Sequence, residues 1–245
     1  MREPISRDAR LALDLALTIR HDGNGGVVDD LTDPADLTAW VRAHQEALAA
    51  DARGRADDRG AAVRPLDGDR RAAGTDAQGT GPQPGDGDRR AVGFTADAAQ
   101  LSAAEQLTAV RALRAAVRAL FARAVRPGEP SPADAARLMP LPEAVRHLNE
   151  AAARTPTVPV LDWPEGATPI VHRTPAGAGD DLTATLAHAV IAFLASPERD
   201  RLRACHAPRC VRYFLKEHPR QEWCKPSCGN RARVARHHQR HKATT

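Results

Sequence analysis

The tightest constraint on this chain is a set of four cysteines confined to its last 41 residues: Cys205, Cys210, Cys224 and Cys228. Their spacing is C-x4-C-x13-C-x3-C. Two close pairs joined by a short spacer suit a tetrahedral zinc ion, because each pair spans one edge of the tetrahedron. The competing reading, two disulfides, is disfavoured in a reducing compartment. Four thiolates close the coordination shell, so the single Zn2+ this pattern predicts is structural, not catalytic. His206 and His218 stand close by as substitute ligands, although four cysteines already complete the set.

The same segment is strongly basic. From Arg199 onward, 13 Lys or Arg residues oppose only Asp200, Glu217 and Glu222, a net charge of +10. Residues 1–198 carry 22 basic and 28 acidic groups, a net −6, so the two parts meet solvent and partners differently. A helix is predicted from near Cys228, with Arg231, Arg233, Arg236, Arg240 and Lys242 along it. Arg233, Arg236, His237 and Arg240 share one face at helical spacing. A helix anchored by zinc at one end and lined with arginine suits phosphate contacts or entry into a DNA major groove. Those five basic residues are therefore the candidate nucleic-acid contacts. A solvated terminal helix accounts for the same charge, and a zinc-scaffolded platform for a protein or an RNA is the alternative. For Asn230 and Arg231, base contact competes with a structural role in which Asn230 caps the helix and Arg231 brackets the zinc knuckle.

Between the cysteine pairs, VRYFLK and QEWC read as the two strands of a hairpin across EHPR. Knuckle, hairpin and helix in that order make a treble-clef-like α+β module. Gly229 is expected to permit a tight turn that points N–H groups at a thiolate, with Tyr213, Phe214 and Trp223 as the small apolar core.

Upstream, apolar residues make up 42% of the chain but aromatic residues only 3%, a balance rich in alanine that favours helices. The fold class is accordingly mainly α. Leu11, Leu15 and Ile19 predict a helix over 8–20, and Asp33-Pro34 opens a second with Leu37, Trp40, Val41 and Leu48 inward, running to about Asp51. Residues 53–93 hold nine of the seventeen glycines and almost no large apolar side chain, so they read as a disordered insertion within one domain. Ser102 and Glu105 form a capping box ahead of Leu107, Val110, Leu113, Val117 and Leu120, the strongest helix signal in the chain. Ser131-Pro132 starts a short helix, and Leu141 to Ala153 forms another. TVPVLDW and ATPIVHR read as short edge strands around Pro164-Glu165-Gly166. Leu182, Leu186, Val190, Phe193 and Leu194 mark a last amphipathic helix.

No 18-residue apolar run and no secretory signal pattern are present, so the chain reads as cytoplasmic. His21, His44, His147, His172 and His188 lie on separate predicted elements. No Ser-His-Asp order, phosphate-binding glycine loop or paired carboxylate motif stands out, and the reading is non-enzymatic.

RLRACHAPRCVRYF followed by WCKPSCGNRARVARHHQRH closely resembles the CGNR zinc-finger family, whose signature run is matched by Cys228-Gly229-Asn230-Arg231. Upstream, LALDLALTIR, DDLTDPADLTAWV, LTAVRALRAAVRALFARAV, HLNEAAA and LAHAVIAFLASPERDRLRAC resemble, in order, the ABATE domain found with that finger. In the L-D-F-x-N-T pattern of that domain Asp14 and Thr18 match, while Leu17 stands in place of asparagine. The resemblance implies a helical domain over 1–196, whose role, as sensor of a small molecule or protein or as oligomerisation unit, the sequence leaves open. The resemblance also implies a zinc finger over 197–245 and a function in stress-linked transcription regulation through binding of double-stranded DNA.

Overall fold

The computed structural model describes residues 4–22, 26–48, 101–126, 128–176 and 181–242. Its elements in chain order are α1 (Arg7–Leu17), β1 (Ile19–His21), β2 (Val27–Asp29), α2 (Pro34–Ala43), α3 (Ala103–Ala124), α4 (Pro132–Ala135) and α5 (Leu141–Ala153). There follow β3 (Thr157–Asp162), β4 (Ile170–Pro175), α6 (Leu182–Ala195), a 3-10 turn (Pro197–Arg201), β5 (Leu202–Ala204), β6 (Tyr213–Leu215) and α7 (Pro226–Lys242). The result is mainly helical with small antiparallel hairpins and a C-terminal cysteine module. The expected disorder of 53–93 falls outside the described residues. Among the described residues no helix is long and apolar enough to cross a membrane.

Helix starts follow local side-chain chemistry. Ser6 Oγ accepts the Ala9 N–H at 3.2 Å to open α1, and Asp181 accepts the Ala184 N–H at 2.9 Å to open α6. Both α2 and α3 begin with full capping boxes, Asp33 with Asp36 and Ser102 with Glu105. Each satisfies backbone donors that the first helical turn leaves without partners.

The apolar periodicity of α3 places Leu107, Val110, Leu113, Val117 and Leu120 in the core, as their spacing predicts. Helix α3 packs against α5, and α6 packs against α1, α3 and α5. Phe121 of α3 lies edge-on to Phe193 of α6 at 5.6 Å and to Tyr213 of β6 at 5.5 Å. Three of only eight aromatic residues thus meet where the helices join the C-terminal hairpin. Leu202, Ala204, Tyr213 and Leu215 belong to the same buried cluster as the helical core.

Three local expectations change. The first helix stops at Leu17, and Ile19 enters β1, which pairs with β2 from Ile19↔Asp29 to His21↔Val27. Asp22 and Gly26 clamp the two strands, the Asp22 N–H donating to the Gly26 carbonyl at 3.3 Å and the Gly26 N–H to the Asp22 carboxylate at 3.0 Å, and this pairing overrides the Leu11, Leu15, Ile19 spacing. Helix α2 ends at Ala43; after a turn at His44, residues 45–48 form a further helical segment. Finally, β6 pairs with β5 upstream, from Leu202↔Leu215 to Ala204↔Tyr213, and QEWC forms no strand. The expected β3–β4 hairpin is present, in register from Thr157↔Pro175 to Asp162↔Ile170. Its connection holds a β-turn closed by the Ala167 N–H to the Pro164 carbonyl, with Gly166 at φ +75°.

Two arginines on α3, one turn apart, are buried instead of facing water. Arg114 donates to both carboxylate oxygens of Asp29 on β2, at 2.6 and 2.5 Å, and to Thr18 Oγ1 at 2.9 Å. Burial pushes the Asp29 carboxyl up, but hydrogen bonds from Arg114 and the Leu31 N–H, with the charges of Arg114 and Arg111, outweigh it and hold it below its ordinary value. The clamp therefore stabilises the fold at neutral pH and is lost as pH falls through that lowered value. Arg118 donates to the Ala16 carbonyl at 2.6 Å and to the Val211 carbonyl at 2.7 Å, and pairs with Asp134 at 2.8 Å. Its guanidinium also lies 5.5 Å from the Tyr213 ring centre.

Removing one member of such a pair leaves a buried, uncompensated charge. Asp134→Ala is expected to lower unfolding stability by about 3–5 kcal/mol, read from denaturant unfolding followed by circular dichroism. A change within about 0.5 kcal/mol, as surface sites show, would refute that role for the pair.

Candidate metal centre

The hairpin β5–β6 carries the first two cysteines in its connection, and its alternation assigns its two faces. Tyr213 and Leu215 point into the helical core, while Phe214 packs with Cys205, Ala207, Cys210 and Cys228. Trp223 and Cys224 are partly buried against that second cluster. Tyr213, expected in the core of the finger, instead joins the finger to the helices.

Backbone geometry aims the thiols. The Ala207 N–H donates to the Cys205 sulfur and the Arg212 N–H to the Cys210 sulfur, each two residues on from its cysteine. A turn closed by the Cys210 N–H to the Ala207 carbonyl at 2.9 Å completes the knuckle, with Arg209 in the left-handed region at φ 64°. Cys224 precedes α7 and Cys228 lies in its first turn, where the positive end of the helix dipole favours a thiolate.

All four sulfur atoms lie within 4.8 Å of one another. The Cys210–Cys224, Cys224–Cys228 and Cys210–Cys228 separations are 3.8, 3.5 and 3.9 Å. Tetrahedral zinc with four sulfurs at its usual bond length sets sulfur–sulfur edges of about 3.8 Å. All four cysteines are free thiols, and three of them are buried. Hydrogen bonds from the thiols of Cys210 and Cys224 hold Cys205 below an ordinary thiol, and the contact with Cys205 pushes Cys210 and Cys224 upward. The donor set thus fits one structural Zn2+. His206 is not part of it, since its Nε2–H donates to the Glu129 carbonyl at 2.7 Å, and His218 is exposed outside the sulfur cluster.

Of the residues after Cys228, Gly229 and Asn230 differ from expectation and Arg231 takes a role expected for it. Gly229 is helical, not in a tight turn, and its N–H goes to the Lys225 carbonyl at 3.4 Å. Its value is steric: a Cβ there would sit 3.0 Å from Trp223 Cδ1. Asn230 lies inside α7 and accepts a hydrogen bond from Arg233, so it does not cap the helix. Arg231 donates through Nη2 to the Cys228 sulfur at 3.2 Å, the bracketing role weighed for it above. Buried Ala232 extends the packed face, whereas Arg233, Arg236 and Arg240 are exposed.

The centre is fastened to the helical body by groups invisible to sequence reasoning. Ser131 Oγ donates to the Cys210 carbonyl, Arg118 to the Val211 carbonyl, and Tyr213 Oη to Asp134 at 3.1 Å. Burial and the adjacent Asp134 carboxylate push the Tyr213 hydroxyl above its ordinary pKa, so it remains a donor. In the L-D-F-x-N-T region, Thr18 is a buried partner of Arg114 and Asp14 meets His44 Nε2 at 3.2 Å. Leu17 is half-buried.

Cys228→Ser is expected to lose zinc and to lower the thermal midpoint of the whole body, because β5–β6 shares the helical core. Zinc content by elemental analysis and melting by circular dichroism test this together; full zinc retention overturns the four-thiolate assignment. Arg231→Met should keep the site but weaken zinc binding about ten-fold in a chelator competition.

Comparison with family models matches residues 9–197 to ABATE, described as "Putative stress-induced transcription regulator", and residues 201–241 to the CGNR zinc finger. No curated protein matches the chain. The first match spans most of the sequence and the second encloses all four cysteines, so the chain belongs to the ABATE family and carries a CGNR zinc finger at its C-terminal end.

Proposed function

We propose that this protein is a DNA-binding transcription regulator in which the zinc centre sets the direction of α7 and α7 contacts double-stranded DNA. The observation that carries the reading is the division of α7. Cys228, Gly229 and Ala232 are buried against the cysteine cluster and its surroundings, while Arg233, Arg236 and Arg240 are exposed beyond it. Phosphate contact needs cations held at fixed spacing on an accessible surface, and a zinc-anchored helix supplies that spacing at little ordering cost. Lys242, two residues after Arg240, continues the basic run in the sequence. Arg231 serves the Cys228 thiolate and is left out of the contact set.

In this reading residues 197–245 form the nucleic-acid unit and residues 1–196 the sensor or oligomerisation unit. What supports a sensor is proximity. An open groove of about 550 Å³ lies between the end of α3 and the segment leading into α5, lined by Ala119, Ala122, Arg123, Leu138 and Met139. Glu129, also on its wall, holds His206 of the knuckle. A molecule seated there would touch the segment that fixes the metal centre.

Binding of the zinc-loaded full chain to duplex DNA, followed by fluorescence anisotropy over a salt series, tests the reading. Affinity should fall steeply with salt, and Arg233→Ala and Arg240→Ala should each reduce the log–log slope by about one. Absence of duplex binding at low salt refutes it; a nuclease-insensitive protein complex would point to an interaction platform instead.

A further inference from the structure

The outer part of α7 holds a second arrangement of metal-binding atoms that the zinc centre does not use. His237 and His241 are one helical turn apart, both exposed, and their Nε2 atoms lie 3.1 Å from each other. The rings are tilted at 55° with centroids 4.3 Å apart, so the two nitrogens lie side by side on one flank of the helix. We infer that His237 and His241 form a two-imidazole site for a divalent cation of the copper or nickel class, separate from the four-thiolate centre.

The donors select the class. Two exposed imidazoles one turn apart suit a borderline divalent cation, and for nitrogen donors affinity rises through Ni2+ to Cu2+ and falls again at Zn2+. Magnesium and calcium prefer oxygen ligands and are excluded by the donor type. Water completes the sphere, since both rings are exposed.

In the metal-free chain the two Nε2 atoms share one hydrogen bond, one ring donating and the other accepting. The cation replaces that shared proton. The donating ring changes to its Nδ1–H form, and a small rotation of both rings turns their Nε2 lone pairs to the metal. Neither ligand requires a new backbone conformation, because spacing of four on a helix already brings the rings together. His238 lies off this pair, with its ring centroid 6.0 Å from that of His237, and serves as an internal control.

The test uses tag-free, zinc-loaded full chain titrated with Ni2+, with ring signals of the histidines followed by NMR and released zinc measured in parallel. Paramagnetic broadening is expected first at His237 and His241, with zinc retained. His237→Ala or His241→Ala should each weaken Ni2+ binding roughly a hundredfold, because one ligand of a preformed chelate is lost. His238→Ala should leave it unchanged, and the helix signal in circular dichroism should be the same for all three. Equal binding by His237→Ala, or nickel uptake only with stoichiometric zinc release, overturns the proposal. No nucleic acid enters the experiment, so its outcome is independent of DNA binding.

Discussion

The Arg118 guanidinium is the constraint on which the rest of the structure depends. It sits nearly inaccessible between the end of α1, the short helix α4 and the metal knuckle, contacting a carbonyl of the first, a carboxylate of the second and a carbonyl of the third. A buried cation tolerates few arrangements of its neighbours, because each lost partner leaves charge without solvation. Three segments far apart in sequence are thus held in a single mutual placement. Tyr213 reinforces it by stacking near the guanidinium while donating to the same Asp134.

This placement makes the metal centre part of the fold. Small zinc modules often depend on the ion alone for their stability. Here one face of β5–β6 is buried in the helical core and the other faces the cysteines. Zinc binding and helical packing therefore act on the same few residues. Tyr213 and Leu215 report on the helices, Phe214 on the sulfurs, and the alternation of a short strand is sufficient to couple them. A displacement of the helices has a short physical route to the start of α7.

Helix α7 extends that logic outward. Its first turns are specified by thiolate coordination, the packing of Trp223 against Gly229 and the hydrogen bond from Arg231 to Cys228. Beyond Ala232 it carries arginine and histidine on exposed positions. Rigid at one end and charged along the other, it presents cations and imidazoles at helical spacing. The two proposals for this helix rest on different atoms, guanidinium groups in one case and imidazole nitrogens in the other.

The metal centre, the capping boxes and the buried faces of α3 and α6 were legible in the sequence because each is encoded over a few residues by cysteine spacing, hydrogen-bonding caps or apolar period. The basic face of α7 was legible for the same reason. The pairing of β6 was not: YFL has strand character but nothing in it distinguishes LRA before the knuckle from QEWC after it, and only packing against the helices decides. The burial of Arg114 and Arg118 was equally hidden, since on a helix in isolation they read as surface residues and their partners Asp29 and Asp134 lie in other segments. Sequence by itself determined which short pieces form and where one metal ion binds, because those depend on neighbours a few residues away. Only tertiary structure decided how the metal centre is joined to the helices, because a buried ion pair exists only once distant parts of the chain have been brought together.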